Sequence, residues 1–130
     1  MRNDRLWWGA AAVVCCTGIA TPTHHAQAAE AVLAGLGADT CAGYAESMRL
    51  DTKYTDTLYR SWAQGLMSGM NGSHAAHHEP WVDLLSVSYP VQAQTAFLHG
   101  YCDQHPLASF AEAVAALYSD MLGRLPLQRN

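Results

Sequence analysis

Charge is scarce in this sequence. Only 14% of its 130 residues are Asp, Glu, Lys or Arg, against about a quarter in an ordinary globular chain. Cations are scarcer than acids, and the formal net charge is −4. A nucleic-acid binder needs a basic face, so that class is excluded. A disordered chain is excluded too, because 50% of the residues are hydrophobic and such chains are poor in apolar residues and rich in charge. Ten glycines and five prolines are too few for a collagen-like or low-complexity chain. The motifs of nucleophilic and phosphate chemistry are missing: no Gly-x-Ser-x-Gly elbow, no phosphate loop, no HExxH, no CxxC. No catalytic residue stands out, so the reading is not an enzyme, and no cofactor is expected. The length suits one domain.

The apolar excess is partly an address. Arg2 and Arg5 precede an apolar run from Leu6 to Ala20, and Thr21-Pro22-Thr23-His24-His25 leads to Ala26-Gln27-Ala28. A basic start, an apolar middle and a small-x-small ending make a secretory signal peptide over 1–28, cut near Ala28 or Ala29. The run is shorter than the roughly 20 residues that a spanning helix needs, so no stable membrane span is expected after cleavage. Cys15 and Cys16 leave lipidation open as an alternative. The expected destination is the periplasm or the exterior.

Residues 29–130 then form the folded domain, with five cations against ten acids and a net charge of −5. A domain of about 100 residues buries only some 60–70% of its unfolded surface, so a covalent staple helps it. Two cysteines remain, Cys41 and Cys102. An even count in an exported chain reads as a disulfide, with two free thiols or a metal pair as the alternatives. A bridge would close a loop of 61 residues, for which loop entropy supplies about 4 kcal/mol.

Periodicity predicts an all-α single domain of about four to five helices. The last helix is the clearest. Leu107, Phe110, Val114, Leu117 and Met121 step by 3, 4, 3, 4, one apolar face of a helix. Pro106 suits its first position and Gly123 its stop. A second helix is predicted over 52–70, capped by Asp51 or Thr52, with Tyr54, Leu58, Trp62, Leu66 and Met70 at strict fours. Gly65 and Gly69 lie four apart on it. Glycine weakens a helix, so the pair is expected to mark a close approach of another backbone, with Trp62 at the same crossing. A third helix is predicted over 91–103 with Phe97, Leu98, Tyr101 and Cys102 inward. A short one starts near Thr40 and carries Cys41, Tyr44 and Met48, and a turn or two follows Pro80 through Trp81, Leu84 and Leu85. The expected core is Leu66, Phe110, Val114 and Leu117, beside Trp62.

Residues 71–79 read as a Gly, Ser and His-rich loop. His74, His77 and His78 there are weak zinc or copper candidates, with Glu79 beside them. His99 and His105 complete the five histidines of 29–130, and histidines can switch charge between pH 5 and 8.

The order of landmarks is familiar. Thr40-Cys41 with Tyr44 comes first, then Trp62-Ala63-Gln64-Gly65-Leu66-Met67-Ser68-Gly69, then Tyr101-Cys102-Asp103-Gln104-His105-Pro106 leading into Phe110 and Ala113-Val114. This frame resembles the HdeA/HdeB-type small periplasmic proteins. The resemblance implies an all-helical domain with one disulfide, working as an acid-stress chaperone on unfolded clients. The aromatic-x-x-Gly-x-x-Ser-Gly middle and the Tyr-x-x-x-x-Pro approach also resemble Tai/Rap-type immunity proteins of type VI secretion. That resemblance implies a dedicated inhibitor of one secreted effector enzyme. Both readings expect a protein partner, neither expects nucleic acid, and a homodimer stays open. Metal handling through the histidine segment is a third reading.

Overall fold

The computed structural model describes residues 33–129. The export segment, its cleavage position and Cys15 and Cys16 lie outside the described residues. Within them the protein is all-α: a 3-10 turn over Gly35–Ala38, then α1 (Cys41–Leu50), α2 (Thr52–Ala76), α3 (Val91–Gln104) and α4 (Phe110–Arg124). There is no strand among the described residues, only isolated bridges at Thr40–Ser109 and Trp81–Gln128.

Capping residues set the joints. Asp51 ends α1 and begins α2, accepting from Tyr54 N–H at 3.0 Å. A single residue between two helices forces the chain to turn sharply there. Thr40 caps α1 by accepting from Gly43 N–H at 3.0 Å. Ser109 caps α4 in a reciprocal box with Glu112, which satisfies two orphan donors at once. The backbone and hydroxyl of Ser109 bond the Glu112 carboxylate and hold it below the usual carboxylate range. The two caps lie side by side. Cys41 N–H donates to Ala108 C=O at 2.8 Å, Ala42 N–H to Pro106 C=O at 2.9 Å and Phe110 N–H to Asp39 C=O at 2.8 Å. Helix N-termini leave N–H groups without intrahelical partners; here the start of α1 uses carbonyls of the turn before α4.

Pro106 and Leu107 belong to that turn, so α4 begins at Phe110, later than periodicity suggested. Leu107, counted in its stripe, is 91% exposed. Gly123 lies inside α4, which runs to Arg124. The rest of the stripe is buried, with Phe110, Val114, Leu117 and Met121 all inaccessible. Cys41 and Cys102 form the disulfide, Cα atoms 4.7 Å apart. It ties the first turn of α1 to the last turn of α3, inside the core.

The second helix departs most from its sequence reading. It continues through Asn71, Gly72, Ser73 and His74 to Ala76. Its buried face is Thr55, Tyr59, Ala63 and Met67, one residue round from the predicted stripe. Trp62, Leu66 and Met70 are half-buried on the shoulder, and Tyr54 and Leu58 are exposed. A β-carbon built on Gly65 or Gly69 would meet nothing within 4 Å. The two glycines therefore mark no helix crossing. The close approach is at Gly37 of the 3-10 turn, where a β-carbon would overlap the Trp62 ring.

No helical turn forms at Trp81–Leu85. Residues 77–90 are turns and extended chain, held by two side-chain amides. Asn71 of α2 donates to Val82 C=O at 2.8 Å and accepts from Val82 N–H at 3.3 Å. Gln94 of α3, buried, donates to Leu84 C=O at 2.9 Å and Tyr89 C=O at 3.1 Å, and accepts from Gln64 at 2.8 Å. These amides supply the partners that a helix or ladder would otherwise give the backbone.

Candidate functional site

Three places on the molecule carry unusual surface or chemistry, and α2 borders all of them. The first is its outer side. On α2 Tyr54 is 64% exposed and Leu58 38%, and Leu50, which ends α1, is 79% exposed. At about 100° per residue, Tyr54, Leu58, Gly65 and Gly69 share one sector of the helix, bordered by Trp62. No charged residue of α2 falls in it, because Lys53, Asp56 and Arg60 lie on another flank. Round the shoulder, Leu66 and Met70 line a groove of about 280 Å³ together with Ala111 and Ala115 of α4 and Leu33. Glu112 on its rim is occupied by the Ser109 cap. The α2 side and this groove make a nearly uncharged apolar surface on a folded domain.

The second place is a cavity of about 380 Å³ where the end of α1 meets the first turns of α2 and α3. Met48, Thr52, Lys53, Asp56, Arg60, Val91 and His99 are among its lining. Arg60 and Asp56 are 3.5 Å apart there. The third place holds the histidines. His74 stands in the last turns of α2, with Nδ1 2.8 Å from Pro80 C=O and its ring edge-on to Tyr118. His77 Nδ1 is 2.8 Å from Ser73 C=O. His78 has a φ of 57° just past the helix. The His74 and His77 rings are thus turned to different neighbours, and among the described residues no three His, Cys, Asp or Glu side chains gather as a metal site requires.

Beneath these surfaces lies an aromatic cluster. Tyr44 packs on Tyr59 and Phe110 with centroids 4.9 and 5.0 Å apart, and Tyr59 meets Phe110 edge-on at 4.8 Å. Trp62 reaches Phe110 at 6.1 Å. Buried phenols need partners. Tyr44 O–H pairs with His99 Nε2 at 3.0 Å, and Tyr59 O–H donates to the Asp39 carboxylate. Burial, then the Asp39 bond, pushes Tyr59 up to about 12. Burial likewise raises Tyr44, with the Asp56 charge adding to it. Asp39 also accepts from Thr40 N–H at 2.9 Å, so one carboxylate joins the 3-10 turn and the α1 cap to α2. A second carboxylate joint is Asp120 on α4, which accepts from Tyr89 at 2.9 Å and Arg124 at 2.7 Å.

The residues singled out from the sequence are therefore spread over core and surface. Cys41, Cys102, Phe110, Val114 and Leu117 are in the core; Trp62 and Leu66 are on its edge; Gly65 and Gly69 are exposed. Sequence reasoning missed Asp39, Asn71, Gln94 and Asp120, whose partners are distant in the chain and give no periodic signal. No helix of the described residues is long and apolar enough to cross a membrane. Comparison with protein-family models, with curated proteins and with solved structures finds no match to this chain.

Proposed function

We propose that the protein is an exported, protein-binding helical domain of the acid-stress chaperone type, and that it takes apolar segments of unfolded clients on the outer side of α2 and the groove beside it. The observation that carries this reading is the exposed row of Tyr54 and Leu58 beside Gly65 and Gly69 on α2. Contiguous apolar surface on a folded domain marks an interaction site more often than chance exposure does. The signal-peptide pattern and the disulfide support an exported, oxidising setting.

Acid has two points of action. One is structural: Asp39 and Asp120 tie the 3-10 turn and the 77–90 segment to the helices through Tyr59 and Tyr89, so these side-chain joints are where an opening would begin. Meanwhile the chain, short of cations at neutral pH, becomes positive as its acids neutralise and its histidines charge, and self-repulsion favours opening. Opening widens the apolar surface from Tyr54 and Leu58 to Trp62, Leu66 and Phe110.

The test uses oxidised protein spanning 29–130. It should suppress aggregation of an unfolded client at pH 2–3 much more than at pH 7, and Leu58→Asp should weaken that suppression. No suppression at pH 2–3, while near-UV circular dichroism reports opening, defeats the proposal. A second reading is an inhibitor or immunity protein for one secreted enzyme. Its support is that the apolar row is already formed in the closed fold, as a preformed recognition surface would be. Protection absent at every pH, together with a stoichiometric complex with a secreted enzyme encoded beside it, would establish that reading instead.

A further inference from the structure

We infer that the cavity between α1, α2 and α3 is a binding site for a small organic oxyanion, a carboxylate or phosphate ester carrying an apolar portion. It lies on the flank of α2 away from the exposed apolar row, so it stands independently of the reading above. The first observation is where the cations are. Residues 33–129 contain five Lys and Arg side chains, and two of them, Lys53 and Arg60, line this one cavity. Lys53 is the only lysine in the chain. It takes part in none of the ion pairs among the described residues, whereas Arg49 and Arg124 are spent on Glu46 and Asp120.

The second observation is an unmet donor. Arg60 Nε is buried and has no hydrogen-bond partner, although the side chain as a whole is partly exposed. Its terminal nitrogen shares Asp56 at 3.5 Å, a loose contact that leaves most of the guanidinium fork unused. A buried donor without an acceptor is destabilising, so an Arg60 side chain that turns Nε toward an oxyanion in the cavity gains a charge-assisted bond and loses that penalty. The planar fork suits two-oxygen ligands, carboxylate and phosphate alike.

The third observation is the lining. Met48 and Val91 offer apolar surface, while Thr52, Gln92 and Thr95 offer hydroxyl and amide groups. Val91 and Gln92 also begin α3, whose cap position is Pro90 and has no side-chain capping bond. The first N–H groups of a helix carry partial positive charge, which adds to the two cations. At about 380 Å³ the space is at the small end of ligand cavities. His99 on the wall already engages Tyr44 through Nε2, which couples the site to the aromatic cluster below it.

The test is a titration of the oxidised protein followed by ¹H–¹⁵N NMR, including the Arg60 Nε–H signal. Three probes separate the chemistries: hexanoate (oxyanion with tail), inorganic phosphate (oxyanion without one) and hexylammonium (tail with the opposite charge). Hexanoate should give saturable shifts at Arg60 Nε–H and along Val91–Thr95, and phosphate should give the same pattern more weakly. Hexylammonium should give none. Arg60→Gln and Lys53→Gln should each weaken hexanoate binding about tenfold, while Arg124→Gln, outside the cavity lining and paired with Asp120, should leave it unchanged. The inference is overturned if hexanoate gives no saturable shift, if hexylammonium matches it, or if Arg124→Gln weakens binding as much as Arg60→Gln. Phosphate binding as tightly as hexanoate overturns the apolar half of the assignment.

Discussion

Asn71→Ala should be among the more damaging single substitutions on this protein, although the residue is neither apolar nor fully buried. Its amide does three things at once. Oδ1 accepts from Tyr118 O–H at 2.8 Å and from Val82 N–H at 3.3 Å, and Nδ2 donates to Val82 C=O at 2.8 Å. Val82 is wholly buried and Tyr118 nearly so. Truncation to alanine therefore strands a phenol, an N–H and a C=O. Each stranded buried group costs about 1–3 kcal/mol. Taking the low end for all three gives about 3 kcal/mol, a large share of the roughly 5–15 kcal/mol that holds a small domain together. Tyr118→Phe alone should cost only about 1 kcal/mol, because Asn71 keeps both its Val82 bonds. The double variant has no phenol to strand, so the two costs should fall short of additivity by about 1 kcal/mol or more. Urea unfolding of the oxidised protein, followed by far-UV circular dichroism, measures all three, with the midpoint moving and the slope unchanged. The reasoning is refuted if Asn71→Ala lies within about 0.5 kcal/mol of the parent, or if the costs simply add.

Three further outcomes follow from the same contacts. Reducing the Cys41–Cys102 bridge frees a 61-residue separation, and loop entropy puts the loss near 4 kcal/mol; a difference under about 1 kcal/mol between oxidised and reduced protein in urea would contradict it. Gly65→Ala and Gly69→Ala should each stabilise the fold by about 0.5–1 kcal/mol, because both glycines are inside a helix with open space above them; destabilisation on thermal melting would restore the helix-crossing reading. The folded-state value of Tyr59 is pushed up to about 12 from the ordinary 10, so its contribution is fully present below pH 10 and disappears as the pH rises through 12. Tyr59→Phe should therefore flatten the loss of stability between pH 10 and 12, and an unchanged alkaline limb in pH-dependent unfolding would refute that.

What could be read in advance follows from local rules. The α4 stripe was legible because Phe110, Val114, Leu117 and Met121 all turn to one side and that side is truly buried. The disulfide was legible because only two cysteines lie beyond the expected signal peptide. Ser109 and Glu112 spell a capping box, yet Pro106 offered a competing first position four residues before Phe110, and tertiary bonds from α1 to the 106–108 turn decided between them. The α2 stripe misled for a related reason. Apolar side chains at strict fours define a face, but not whether a neighbouring helix covers that face or the adjoining one. The candidate surfaces were less legible than the fold. Lys53 and Arg60 are seven apart and share a flank of α2, but only the packing of α2 and α3 against α1 brings Val91 round to the same cavity.

The amino-acid order alone determined an all-helical domain, its helix-forming segments and its single staple, because capping, periodicity and cysteine count act over a few residues or by elimination. Tertiary structure decided which side of α2 is buried, where the backbone closes on Trp62, and how a fourteen-residue segment without helix or strand is held by Asn71 and Gln94. Those outcomes depend on long-range partners, and the energy of a buried amide or an exposed apolar row exists only once the partner, or its absence, is in place.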